Sequence, residues 1–219
     1  GSQALCLTSC EAFIKWVFEK TPFAIEHDCA AILLPATEGA KLYLWLNQPL
    51  PDDYILEFKL KTIESINASM NQKLSERDLE IVSYHNPDIS SQKIEAGSRI
   101  ASFYYANLIV RDKSLGLFAI SSRKTDIFLV YRINMFKLFS DQVALAIDSL
   151  KAREEVVRQS RIIEIERIKM ETAFCGMSEG LIMMDDANQI ILINPVARRM
   201  LGINDESSGE ITRDSLTSA

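Results

Sequence analysis

Apolar side chains at Leu5, Leu7, Phe13, Ile14, Trp16, Val17 and Phe18, with Ser9 as a cap and Glu11 early in the run, predict a helix over residues 4–20 that Thr21-Pro22 breaks. Cys29 to Leu34 is a continuous apolar run ending at Pro35, the pattern of a buried strand. After the turn Thr37-Glu38-Gly39, Leu42, Leu44 and Leu46 alternate with Lys41, Tyr43 and Trp45 and predict a hairpin partner. Beyond Pro49 and Pro51, Ile55, Leu56, Phe58, Leu60, Ile63 and Ile66 recur at helical spacing through about Met70. Leu79 to His85 has strand character and Asn86-Pro87-Asp88 is a turn signal. Arg99 to Val110 is rich in β-branched and aromatic residues, and Arg111-Asp112-Lys113 turns it into a last strand, Leu115 to Ser121. The short turns suggest an antiparallel order for these five strands.

From Leu117 to Cys175 the chain has neither glycine nor proline, and from about Tyr131 to residue 175 it reads as one long helix joining two modules. Phe136, Val143, Leu150 and Val157 fall seven apart, with Phe139 and Ala146 between them, as in a heptad seam. Further on the apolar positions are Ile165, Ile168, Thr172 and Cys175, so the phase slips at about residues 158–164 in the manner of a stutter. These positions carry the expectation of a homodimer through the long helix; simple packing of Val156, Ile162 and Ile163 against the fold is the alternative. Past Gly176, Leu181 to Met184 and Ile190 to Ile193 flank the turn Asp185-Asp186-Ala187-Asn188 and predict a hairpin. Asn194-Pro195 opens a short helix, Val196 to Leu201, closed by Gly202. About 30 residues are too few to bury a core alone.

The 219 residues are 47% hydrophobic and 25% charged with a net charge of −6, a globular composition that argues against a nucleic-acid footprint. No run of about 18 apolar residues marks a membrane span, and no basic segment followed by an apolar stretch opens the chain. Cys6, Cys10, Cys29 and Cys175 form no CxxC pair, so a reducing cytoplasm is expected. Gly1-Ser2 reads as a cloning remnant and the polar ending after Gly209 carries no element signal, which suggests an excised piece of a longer chain.

Arg99 to Leu150, with the turn Arg111-Asp112-Lys113, the strand Leu115-Gly116-Leu117-Phe118-Ala119-Ile120 and the helix containing Phe139-Ser140-Asp141-Gln142-Val143-Ala144-Leu145-Ala146-Ile147, resembles the second half of a GAF domain. Residues 171–202, with Ser178-Glu179-Gly180-Leu181-Ile182 and Ile193-Asn194-Pro195-Val196-Ala197, resemble the opening of a PAS domain whose remaining strands are missing. The resemblance implies an α/β (α+β) architecture. Residues 1–150 would be a GAF-like sensory domain with an antiparallel sheet flanked by helices, 151–175 a signalling-helix linker, and 176–219 a truncated PAS segment. It further implies a non-catalytic sensory and dimerisation region of a bacterial signalling protein, a sensor histidine kinase first, with a diguanylate cyclase or a transcriptional activator as alternative outputs. A ligand-free structural dimerisation module is the rival reading.

Chemistry on the chain itself is sparse. His27 and His85 are the only histidines and neither lies on the long helix, so the phosphoacceptor of a histidine kinase is not here. Their separation offers no Ser-His-Asp or Cys-His spacing, and no Gly-rich phosphate loop is present. His27-Asp28-Cys29 is the one compact grouping of metal-ligand types, but neighbours on an extended strand point to opposite faces. A turn followed by a buried cysteine explains it. Cys6 and Cys10, four apart on the first helix, share a face and could form a redox pair or an inert one. By analogy with GAF domains that bind small molecules, Tyr84, His85, Phe103 and Tyr105 are the candidate ligand contacts; they equally suit a core. The cyclic-nucleotide signature and a bilin-attachment cysteine are both lacking, and no cofactor is named.

Overall fold

The computed structural model describes residues 9–36, 38–71, 73–87, 99–187 and 189–203. The chain folds as two compact units, Gly1–Glu154 and Glu155–Ala219. In the first unit the order is α1 (Cys10–Ala24), β1 (Cys29–Pro35), β2 (Ala40–Leu46), α2 (Asp52–Met70), β3 (Leu79–His85), β4 (Ser102–Val110), β5 (Lys113–Ser122) and the start of α3 (Val130–Gly176). The second holds the rest of α3, then β6 (Ile182–Met184), β7 (Ile190–Ile193) and α4 (Pro195–Met200).

The five-stranded sheet runs β3-β2-β1-β5-β4. β1 lies at its centre, antiparallel to both β2 and β5, and β4 pairs antiparallel with β5. A central strand covered on both faces needs no polar alternation, which is why Cys29 to Leu34 is apolar throughout. Ala30, Ile32 and Leu34 pack into the core beneath α1 and α3, whereas Cys29, Ala31 and Leu33 pack into the core beneath α2. Phe118 is the aromatic centre of the first core, with its ring centroid 4.8 Å from Phe136 and 6.2 Å from Phe18.

Two sequence expectations are corrected here. β3 pairs parallel with β2, not antiparallel. Helix α2 supplies the reason: a strand, a 19-residue helix and a strand form a crossover, and a crossover returns the chain in the same direction. Thr21-Pro22 does not end α1, which runs through Pro22 to Ala24. Proline in the last turn forfeits one backbone bond; the Thr21 hydroxyl donates to the Val17 carbonyl at 2.8 Å and the Ile25 N–H closes the end on the Thr21 carbonyl. Ser9 is the N-cap, its hydroxyl accepting from the Ala12 N–H at 3.2 Å. Leu5, Leu7, Cys6, Thr37, Asp88, Asn188 and the ending after Gly209 lie outside the described residues.

One turn and one strand glycine show local stereochemistry at work. Arg111 and Asp112 both have positive φ, 49° and 62°, as a two-residue turn between twisted strands requires. Gly116 in β5 sits at φ 152°, and a Cβ there would meet the Leu33 carbonyl oxygen at 2.1 Å. The close approach of β5 to β1 therefore depends on the missing side chain.

Candidate functional site

The four candidate ligand residues do not converge. Tyr84 and His85 are on β3 and Phe103 and Tyr105 on β4, the opposite edges of the sheet with three strands between them. Tyr84 packs against the core under α1 and α3, and its hydroxyl donates to Glu11 at 3.1 Å. Burial and the neighbouring Glu11 carboxylate push the Tyr84 phenol up to about 12. Phe103 and Tyr105 pack on the other face, where Phe103 meets Phe58 edge-on at 5.9 Å. His85 is exposed. Tyr84 and Phe103 thus pack on opposite faces of the sheet, and strand order separates them laterally.

A polar cleft of about 190 Å³ lies instead where the start of β1 meets the ends of β2 and β5, lined by Glu26, His27, Asp28, Gln48, Arg123 and Lys124 among others. Asp28 is its anchor. Its carboxylate accepts from the Arg123 N–H at 2.6 Å, the Ser122 hydroxyl at 3.1 Å and the Gln48 amide, with the Arg123 guanidinium at 3.5 Å. These bonds tie the ends of three strands together. His27 is 2% exposed and its Nδ1 lies 2.9 Å from the Ile25 carbonyl oxygen. Burial holds the imidazole below its ordinary value near 6.5, so Nδ1 donates and Nε2 is an acceptor without a partner among the described residues. Cys29 is fully buried on the α2 face, and its thiol is pushed well up by burial. The expected turn followed by a buried cysteine describes His27-Asp28-Cys29; among the described residues no three His, Cys, Asp or Glu side chains cluster as a metal site.

Glu26 links the cleft to the long helix. Glu26 pairs with Lys124 at the cleft and lies 3.9 Å from Arg132 in the first turn of α3. The Lys124 ammonium holds the Glu26 carboxyl below the usual carboxylate range. At the far end of the same unit, Glu154 accepts from the Cys10 N–H at 2.9 Å, placing a negative charge at the N-terminus of α1. Burial first, then Glu154, pushes the Cys10 thiol up to about 11.

Of the positions expected on a dimer seam, Phe136 is fully buried and Val143 is 2% exposed, both in the core under α3, and Leu150 packs against that core. Phe136 and Val143 are therefore not dimer contacts, because their own sheet already covers them. A heptad spacing also arises where a straight helix lays one face on a sheet, and the spacing alone does not separate the two cases. Val157, Ile165 and Ile168, in the second unit, are exposed.

Within the second unit the convergent residue is Asn194, which is fully buried. Its Oδ1 accepts from the Leu181 N–H at 2.9 Å and the Ala197 N–H at 2.8 Å, and its Nδ2 donates to the Glu179 carbonyl at 2.8 Å and the Phe174 carbonyl at 3.4 Å. One side chain thereby joins the last turn of α3, the lead into β6 and the cap of α4. Asn-Pro ahead of a helix reads as a cap from sequence, but the reach back to Phe174 and Leu181 carries no local signal.

No protein-family model matches this chain, and no curated protein matches it.

Proposed function

We propose that this chain is the non-catalytic sensory and dimerisation region of a bacterial signal-transduction protein, a sensor histidine kinase before a diguanylate cyclase or a transcriptional activator. A GAF-like module detects a small molecule or a partner, and the helix after it passes the state to a PAS-like module. The observation that carries this reading is the path of α3: its first turns are core of the first unit, and the same 47-residue helix ends in the second at the carbonyl that Asn194 engages. A displacement of α3 against the sheet has a continuous hydrogen-bonded ladder along which to travel. Two arrangements of the helix must differ by a few kcal/mol, and the signal must favour one of them.

The test lies in the phase of the helix. In the signalling protein that carries this chain, one to seven residues are inserted or deleted within 158–164 and the output is measured. A relay through helix rotation gives an output that rises and falls with the insertion and returns near seven residues, since each residue turns the helix by about 100°. An output indifferent to phase refutes it.

A ligand-free dimerisation module remains a second reading, favoured by the separation of Tyr84 and His85 from Phe103 and Tyr105 across the sheet. No helix among the described residues is long and apolar enough to cross a membrane.

A further inference from the structure

The face of α3 turned away from its own sheet carries a second apolar stripe. Tyr131, Met135, Leu138 and Leu145 are 56%, 53%, 65% and 52% exposed. Their positions, with Gln142, Ser149 and Ala152, follow alternating steps of four and three from residue 131 to 152, a length of about 32 Å. These side chains are left uncovered by the sheet, and at this spacing a second helix of the same period can interlock with them knob into hole. Phe136, Val143 and Ile147, which face the core, lie across the helix from it.

We propose that this outer stripe is the docking surface for α3 of a second copy of the chain, in parallel and in register. The inference rests on the dimeric reading above and supplies its face and orientation. Charge on the two flanks selects the occupant. One flank holds Asp141 and Asp148, the other Arg132 and Arg153. In a parallel pair each flank meets the opposite flank of the partner, and the offset of five residues sets Asp148 beside a second copy's Arg153, twice by symmetry. An antiparallel pair would set the acidic flanks against each other. Gln142 at a seam position adds the same preference: in parallel register it meets its own copy and the two amides hydrogen-bond, whereas an antiparallel pairing strands it against leucine.

The experiment uses the full chain with Cys6→Ser and Cys175→Ser, so that Cys10 and Cys29, both buried, are the only native thiols left. Leu138→Cys and Leu145→Cys are expected to form disulfide-linked homodimers under mild oxidation, because each faces itself in a parallel seam, while Lys137→Cys does not. Leu138→Glu with Leu145→Glu is expected to raise the dimer dissociation constant about tenfold or more in sedimentation with an unchanged circular dichroism spectrum. Asp148→Arg weakens the dimer, and adding Arg153→Asp restores it. A parent chain that is monomeric at tens of micromolar overturns the dimeric reading and this face together. A parent dimer that survives the double glutamate change, with no self-linking at 138 or 145, overturns the face alone. A variant that unfolds leaves the cysteine arm to decide, and there linking at Lys137→Cys equal to that at Leu138→Cys overturns the proposal.

Discussion

Replacing Phe136 by alanine separates the two meanings of a heptad-spaced apolar residue on α3. Phe136 has no exposed surface, stands 4.8 Å centroid to centroid from Phe118 and meets Tyr104 edge-on at 5.9 Å. Truncating a buried phenylalanine costs about 3–5 kcal/mol, within which lost ring pairing accounts for about 0.5–1.5 kcal/mol. For a unit of this size each kcal/mol moves the melting midpoint by about 2–4 °C, so Phe136→Ala lowers it by roughly 6–20 °C. The assay is thermal unfolding by circular dichroism at two protein concentrations a hundredfold apart, with association measured separately. A core position gives the same loss at both concentrations. The reasoning is refuted if the variant melts within about 1 °C of the parent while its dimer dissociation constant rises, for then Phe136 faces a partner and not Phe118.

Three further outcomes follow from particular side chains. His27 binds a proton more readily in the unfolded chain than in its buried site, so its contribution is intact above about pH 6.5 and falls as the pH drops below that, by at most about 1.4 kcal/mol per pH unit. Urea midpoints of the parent should thus fall more between pH 7.5 and 5.5 than those of His27→Asn, and equal slopes would contradict a buried neutral imidazole. Asn194→Ala should speed amide exchange at Leu181 and Ala197 by about tenfold, with unchanged exchange counting against Asn194 as the joint of the second unit. In a Cys6→Ser background, Ellman's reagent should titrate Cys175 at once and Cys10 and Cys29 only on unfolding, since Cys175 is exposed and the other two are buried; a fast phase that survives Cys175→Ser would contradict this.

The elements themselves were legible because each rests on local periodicity. Leu79–His85 and Ile190–Ile193 have the bounds that alternation and apolar runs predict, and α3 departs from its expected ends by a residue at each. What lies between elements was not. The parallel pairing of β2 and β3 was encoded in the intervening α2, but the short turns elsewhere suggested a uniform antiparallel order. The placement of the candidate ligand residues was hidden for a related reason: Tyr84 and Phe103 look alike in sequence, and only strand order reveals that they sit at opposite edges. The Asp28 cleft is assembled from residues up to 98 positions apart, a separation that no motif spans. On α3, burial decides which of two interleaved heptads faces the sheet, and burial is a property of the partner surface.

Gly116 offers a way to trace this chain's descent. A side chain at that position collides with the backbone of β1, so every descendant that keeps the sheet must keep the glycine while its surroundings drift. Gly39, at φ 77° with the Asp78 carbonyl oxygen 2.1 Å from where a Cβ would stand, is a second such marker. Two glycines 77 positions apart in this chain, one in the β1–β2 turn and one early in β5, make a sparse signature that a distant relative could retain after its hydrophobic pattern alone had become unrecognisable.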